Sequence, residues 1–469
     1  MKITVNKFKY FIIQAVLWLI TFIYMNFTCI EYTDQCFRKL CLFTAVMSIV
    51  VLIVQIKYES GIIKPFVIVL ICFELFQIGL PILYGFDKNY TSWNMEFIDI
   101  KNRTESLIFT IYCIHAFAVG GCLGLSDKGK KINVRSKYLK DSRLIRKIAL
   151  FMSIATGIVA IPLAGLIAIL SMRYGYTYIK VDSMGINSGF TNMVRTVFPA
   201  AIFLLLIYSK SKLERRVVLF FIILYSGLSM VAGGRTVGLS MFLTLIYYFY
   251  SSNEKTTKKK KISQYFFIVG AVCALLIILV LVRVMRMGQS MEGFNLITIL
   301  ESVVEEMGFN FTSICFTKLY VPESTAYQVG KSYLYAVICL IPTSIDPIGI
   351  INVVKQMGPE QWLATQLHGT YGATFDYGVG YSVIAESFYN FGNFGFLIVL
   401  LQGYIIQKVL SIKFEGNNNF GMYIKVIMLW ALTTYPRRSF YTLEKALEYN
   451  VLLIIIAILI VGRILKRGR

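Results

Sequence analysis

Seven arginines stand at or near the ends of long apolar runs: Arg173, Arg195, Arg235, Arg283, Arg286, Arg437 and Arg438. A guanidinium offers a planar fork of donors that matches two phosphate oxygens at once, whereas a lysine ammonium is a point charge. Arg283 and Arg286 are spaced i, i+3, so both leave one helix face; they could clamp two phosphates or anchor the helix at the interface. Arg235 belongs to Val231-Ala232-Gly233-Gly234-Arg235-Thr236, a hairpin between two short apolar runs. Such a hairpin presents backbone N–H groups, a hydroxyl and a guanidinium together, an arrangement suited to an anion. The same residues would also make an ordinary small-residue turn.

Glu386 sits in the apolar segment GVGYSVIAESFYNFGNFGF. A carboxylate there is costly unless it is paired or used, so it is a candidate general base for a hydroxyl, or half of an ion pair with one of the arginines. His368 is the one histidine expected on the same face and could assist in acid–base work or be a polar loop residue. Glu74, with Gln77 one turn on, reads as a hydrogen-bonding contact between helices.

The elements that must position these residues follow from composition. The chain has 469 residues, 57% hydrophobic and 15% charged. A soluble domain carries about 25% charged residues, so too little polar surface remains here to clothe a water-soluble globule. Twelve apolar runs read as membrane spans: 10–30, 38–56, 62–85, 105–126, 148–171, 192–209, 217–232, 237–250, 263–283, 386–407, 420–435 and 449–464. The first has no small-residue cleavage site and reads as a retained span. The expected fold is all-α and polytopic, a single integral membrane domain over 1–469.

A net charge of +22 could suggest nucleic acid, but its placement excludes that. With the N-terminus inside, segments 1–9, 57–64, 127–147, 210–216, 251–262, 408–419 and the tail after Val461 hold 21 Lys and 8 Arg against 6 acids. The outer segments hold 8 Lys and 9 Arg against 18 acids. All the excess charge lies on one face, as it does when Lys and Arg stay in the cytoplasm, and both termini are expected there. Nine cysteines with no CxxC, and only two histidines, exclude a zinc framework and a disulfide scaffold. The inner face shows no P-loop, no GxGxxG after a strand and no HExxH, so neither metal nor cofactor is expected.

One long connection, 284–378, stands on the outer face. Leu296, Ile299, Leu300, Val303, Val304 and Met307 form an apolar stripe with Glu301, Glu305 and Glu306 off it. From Phe294 to Tyr320 this predicts an amphipathic helix lying on the membrane or capping the bundle. Tyr333 to Ile341 is apolar but too short to span, an interfacial or re-entrant piece; were both to cross, there would be fourteen spans. The following LHGTYGATFDYGVGY is rich in glycine, which lets backbone turn tightly and approach a ligand.

The GGRT hairpin, the large outer loop and above all GYSVIAESFYNFGNFG resemble bacterial O-antigen and capsule repeat-unit polymerases of the Wzy type. The resemblance covers the whole architecture and is strongest at 225–240 and 365–400. It implies a metal-independent, inverting glycosyltransferase of the GT-C-like membrane class in the bacterial inner membrane. Donor and acceptor would both be oligosaccharides on undecaprenyl pyrophosphate, with a flippase and a chain-length regulator as partners. On that chemistry Arg235, Arg283, Arg286 and Arg195 are expected to bind the pyrophosphate, with Arg437 and Arg438 next in line. Glu386 is the expected base and His368 the reserve, while Tyr371, Tyr377 and Tyr381 could stack on sugar faces.

Three other readings compete. An O-antigen ligase also needs about twelve spans, a large outer loop and outer arginines. A lipid-linked oligosaccharide flippase should carry charges along the bundle interior and often repeat symmetry, neither of which is visible here. A structural or sensor membrane protein would not need the outer arginines.

Overall fold

The computed structural model describes residues 5–27, 31–87, 90–125, 131–133, 136–174, 189–252, 270, 296–340, 358–375, 380–415 and 418–467. Helices dominate them: α1 (Val5–Phe27), α2 (Asp34–Glu59), α3 (Pro65–Phe86), α4 (Ile100–Gly124), α5 (Ser142–Tyr174), α6 (Gly189–Tyr208), α7 (Lys212–Val231) and α8 (Arg235–Ser252). The expected loop contributes α9 (Leu296–Gly308), α10 (Phe311–Tyr320), α11 (Lys331–Ile338) and α12 (Pro359–Tyr371). Then come α13 (Val383–Phe391), α14 (Gly395–Leu410), α15 (Asn418–Thr434), α16 (Phe440–Leu447) and α17 (Leu453–Arg467). Strands β1 (Lys131–Asn133) and β2 (Lys413–Glu415) form a short parallel pair.

Among the described residues, eight helical segments are long and apolar enough to cross a membrane. Six are α1 to α6, and the others are Val383–Leu410 and Phe440–Ile464. The runs read at 217–232, 237–250 and 420–435 are α7, α8 and α15, of 20, 18 and 17 residues. The run at 263–283 lies outside the described residues, apart from position 270.

The chain divides into two compact units, each assembled from separated stretches. The first holds Met1–Lys130, Val304–Ile412 and Tyr435–Glu444. Its core is the packing of α4 on α14, where a Cβ on Gly120 would collide with Leu400 O, one on Gly124 with Tyr404 O and one on Gly403 with Phe117 O. Apolar side chains gain little by leaving lipid, so small residues that let backbones touch are what hold such helices together. Phe117 also stacks between Phe66 and Phe73, with ring centroids at 5.1 and 4.4 Å. Buried polar groups pair across helices, as Thr21 does with His115 at 2.9 Å.

Of the helix expected from Phe294 to Tyr320, the described part begins at Leu296 and is broken after Gly308. Gly308 meets Gly79 of α3 so closely that a Cβ on either would strike the other's backbone. Beyond the break α10 is almost wholly buried, including Phe311, Ile314, Cys315 and Phe316. It is part of the core of the first unit, not a helix lying on the membrane.

The second unit holds Lys131–Val303, Lys413–Thr434 and Lys445–Arg469. Here α5 packs on α6, with Gly157 against the Phe198 ring. The hairpin between α7 and α8 is closed by Gly233 at φ 90° and tightened by Ser226 Oγ, which donates to Gly238 O at 2.9 Å. Arg146 binds Glu214 at 2.9 Å and Lys131 binds Glu415 at 2.7 Å.

Candidate active site

The chain turns sharply in the first unit between Tyr435 and Phe440, a stretch reading Tyr-Pro-Arg-Arg-Ser-Phe. Tyr435–Arg437 is a single 3-10 turn, closed by Arg438 N donating to Tyr435 O at 2.9 Å. Tyr435, Pro436 and Ser439 are buried, whereas Arg437 and Arg438 are partly exposed. Two adjacent guanidiniums thus stand at the accessible tip of a turn whose remaining backbone is inside the protein.

Four polar side chains from four parts of the chain fix that backbone. Gln77 of α3 donates Nε2–H to Pro436 O at 2.6 Å, and Asn310, just ahead of α10, reaches the same carbonyl at 3.4 Å. Glu360, in the first turn of α12, accepts at one oxygen from Ser439 N (3.0 Å), Ser439 Oγ (2.8 Å) and Thr442 Oγ1 (3.2 Å). Glu386 accepts from Phe440 N at 2.6 Å with Oε2 and from Ser332 Oγ at 2.7 Å with Oε1. Gln77, Asn310 and Glu386 are 0% exposed. Each of these hydrogen bonds would cost free energy if released, so together they hold the turn, although Gln77 Oε1 and Asn310 Oδ1 themselves have no hydrogen-bond partner among the described residues.

The motif around Glu386 has a clear local logic. Ser382 caps α13 by accepting from Ala385 N at 3.0 Å. Glu386 and Asn390 are one helical turn apart and meet the same hydroxyl, Ser332 Oγ, which Asn390 Nδ2 also reaches at 2.7 Å. Gly392, at φ 57° with the Tyr327 ring against it, ends the helix, and Gly395 turns back so tightly that a Cβ there would press on Ser387 O. Around the carboxylate lie the Tyr333 and Tyr381 phenols; burial, and then the Glu386 charge, pushes both well above the usual range.

The other expected residues are distributed differently. His368 is exposed in the last turn of α12, eight residues beyond Glu360 and so about 12 Å along the axis. Tyr371 packs in an aromatic cluster, 5.1 Å from Phe97 and 5.3 Å from Phe375. Tyr381 is 1% exposed, which leaves no ring face for a sugar. Arg195, partly exposed on α6, and Arg235, the first residue of α8, belong to the second unit. Arg283, Arg286 and Tyr377 lie outside the described residues. Among the described residues, no three His, Cys, Asp or Glu side chains gather where a metal ion could be held.

Glu386 stands out in the sequence, whereas Glu360, Ser332, Asn310 and Asn390 do not, and Gln77 reads there only as a contact between helices. Asn390 stands in the same quoted motif at helical spacing from Glu386, a signal that was there to find.

The family model described as O-antigen polysaccharide polymerase Wzy matches residues 10–468, nearly the whole chain. The chain belongs to the Wzy family. No curated protein and no solved structure matches it. As a Wzy-family member it is a multi-pass integral membrane protein of polysaccharide biosynthesis, and its apolar helices are those of such a protein. The family resemblance carried by GGRT and GYSVIAESFYNFGNFG is thereby confirmed across both units.

Proposed function

We propose that the chain joins undecaprenyl-pyrophosphate-linked repeat units into O-antigen or capsular polysaccharide at the outer face of the bacterial inner membrane. The observation that carries this reading is the double-arginine turn held by Gln77, Asn310, Glu360 and Glu386. The acceptor hydroxyl attacks the anomeric carbon of the donor, the bond from that carbon to the pyrophosphate oxygen breaks, and the pyrophosphate leaves with the electron pair. Negative charge grows on the leaving group, so guanidiniums fixed beforehand stabilise the transition state more than the ground state.

Arg437 and Arg438 fill this role in the first unit. Arg195, Arg235, Arg283 and Arg286 are further pyrophosphate contacts, and donor and acceptor each bring a pyrophosphate to be met. Glu386 has both oxygens engaged and no access to water, which suits it to holding the turn. His368, exposed, is the group we assign to the acceptor proton. Inversion at the anomeric carbon follows from a single displacement.

The test is a surface-polysaccharide gel of a deletion strain complemented with wild type, Arg437→Lys or Arg438→Lys. Deletion should leave single units on the surface and wild type should restore a ladder. The Lys variants keep the charge but lose the fork, and should lower polymer by about a hundredfold while expressing normally. A full ladder from both Lys variants would remove the arginines from the reaction. Lipid-linked units trapped inside the deletion strain would make the protein a flippase, and full-length chains left on the carrier would make it a ligase.

A further inference from the structure

A cleft of about 890 Å³ opens between α1 and α4 in the first unit, floored by Asn393 and Phe396 at the corner between α13 and α14. One face of α1 lines it with Ala15, Trp18, Leu19, Phe22 and Asn26, at helical spacing. The outward face of α1 is bare, with Ile12, Val16, Ile20 and Ile23 all exposed, so the cleft opens sideways toward lipid.

Its polarity is graded. Asn26 Nδ2 donates to Tyr112 Oη at 2.6 Å, Tyr32 Oη donates to Glu105 at 3.3 Å, and Lys318 Nζ lies 3.4 Å from the other Glu105 oxygen. These contacts gather the polar lining at the end of α1 that holds Asn26. From there back to Ala15 the α1 lining is apolar over about 16 Å of helix, half the thickness of a bilayer core. Lys101 stands over the ring of Tyr32, which lines the cleft, at 5.9 Å, so a second ammonium group lies beside the polar end. That is the pattern an amphiphile with an anionic head and a long apolar tail would fill.

The cleft is also tied to the arginine turn through one short helix. Phe388 of α13 lies under Lys318 at 5.1 Å and against Phe109 at 5.3 Å, while Glu386 and Asn390 of the same helix face Ser332. We infer that this cleft seats the polyprenyl chain of one lipid-linked repeat unit, with Lys318 meeting its phosphate. The inference rests on the polymerase reading above and adds to it where a substrate enters from the membrane.

The test uses the full-length protein in vesicles of phosphatidylethanolamine and phosphatidylglycerol, with a polyprenyl pyrophosphate bearing a diazirine in its chain. Photolabel should fall on the peptides containing Ala15–Asn26 and Glu105–Tyr112, and unlabelled polyprenyl pyrophosphate should displace it. Ala15→Trp, which blocks the apolar end of the cleft, should sharply reduce this labelling. Lys318→Gln, which leaves the cleft open, should weaken displacement by about tenfold, the order of one lost charge-assisted hydrogen bond. Equal displacement by added phosphatidylglycerol would show a site for bulk lipid and overturn the inference, as would label on other helices. A ladder-forming protein without label in the cleft sinks the cleft alone. Label in the cleft of a protein whose deletion traps lipid-linked units inside the cell sinks the polymerase reading and leaves the cleft as the seat of the same polyprenyl chain in a flippase.

Discussion

A carboxylate cut off from water must be supplied with donors, and Glu386 has one on each oxygen, Phe440 N and Ser332 Oγ. This makes the choice between base and brace testable. In Glu386→Gln the amide oxygen can still accept from Phe440 N, and its N–H can donate to Ser332 Oγ. In Glu386→Ala both partners are stranded, at a cost of roughly 1–3 kcal/mol each. A brace therefore predicts that Gln keeps most of the polymer ladder while Ala loses it together with thermal stability in detergent. If Gln is as inactive as Ala and melts like wild type, proton transfer returns to Glu386. Glu360 serves the same turn, so the loss from the double Ala variant should fall well short of the sum of the single losses. Polymer length and melting temperature of all four proteins, wild type included, decide it. Glu386 was legible because a charge in an apolar run has to be explained. Glu360 was not, because an acid just after Gly358-Pro359 reads as the ordinary start of a helix, and its partner Ser439 lies 79 residues away.

At the scale of elements, the α4–α14 seam fixes where the motif corner ends up, since α14 follows that corner directly. Gly120→Ala would drive a methyl into Leu400 O. Helix propensity alone favours Ala over Gly by about 1 kcal/mol, and forced overpacking of this kind costs roughly 1–3 kcal/mol, so the clash should win. Gly165 in α5 is the control, because a Cβ there meets nothing within 4 Å. Gly120→Ala should melt below wild type in detergent and Gly165→Ala at or above it; the reverse order would remove backbone contact as the reason for the seam. The helices themselves could be read from apolar runs and lengths. Their pairing could not, because glycines in a span look alike in sequence whether a Cβ there would meet open space, as at Gly165, or another backbone, as at Gly120. The break after Gly308 was hidden for the same reason: the apolar stripe from Leu296 to Met307 continues smoothly, and only the approach of Gly79 ends it.

Across the whole molecule, the expected sidedness rests on a count of charges and not on any contact. The structure adds an independent consistency. In the second unit Arg146 pairs with Glu214 and Lys131 with Glu415, joining segments 127–147, 210–216 and 408–419, all assigned inside by charge. In the first unit Tyr58 Oη, at the end of α2, donates to Cys122 O near the end of α4, so two helix ends assigned to one side do meet. Glu105 and Lys318, both assigned outside, also meet. The interleaved division into units was not legible, since each is built from three separated stretches of the chain, Lys130 and Val304 being successive residues of the first unit. The Lys and Arg excess predicts that the segments assigned inside are cytoplasmic. A fluorescent protein fused after Arg469 should therefore mature, and alkaline phosphatase inserted at the exposed Glu323 should be active. Neutralising Lys258–Lys261 removes four of the 29 inner basic residues and should leave both results unchanged, because orientation is set by the whole excess. Active phosphatase after Arg469 would invert the molecule and place the arginine turn in the cytoplasm, away from any substrate at the outer face.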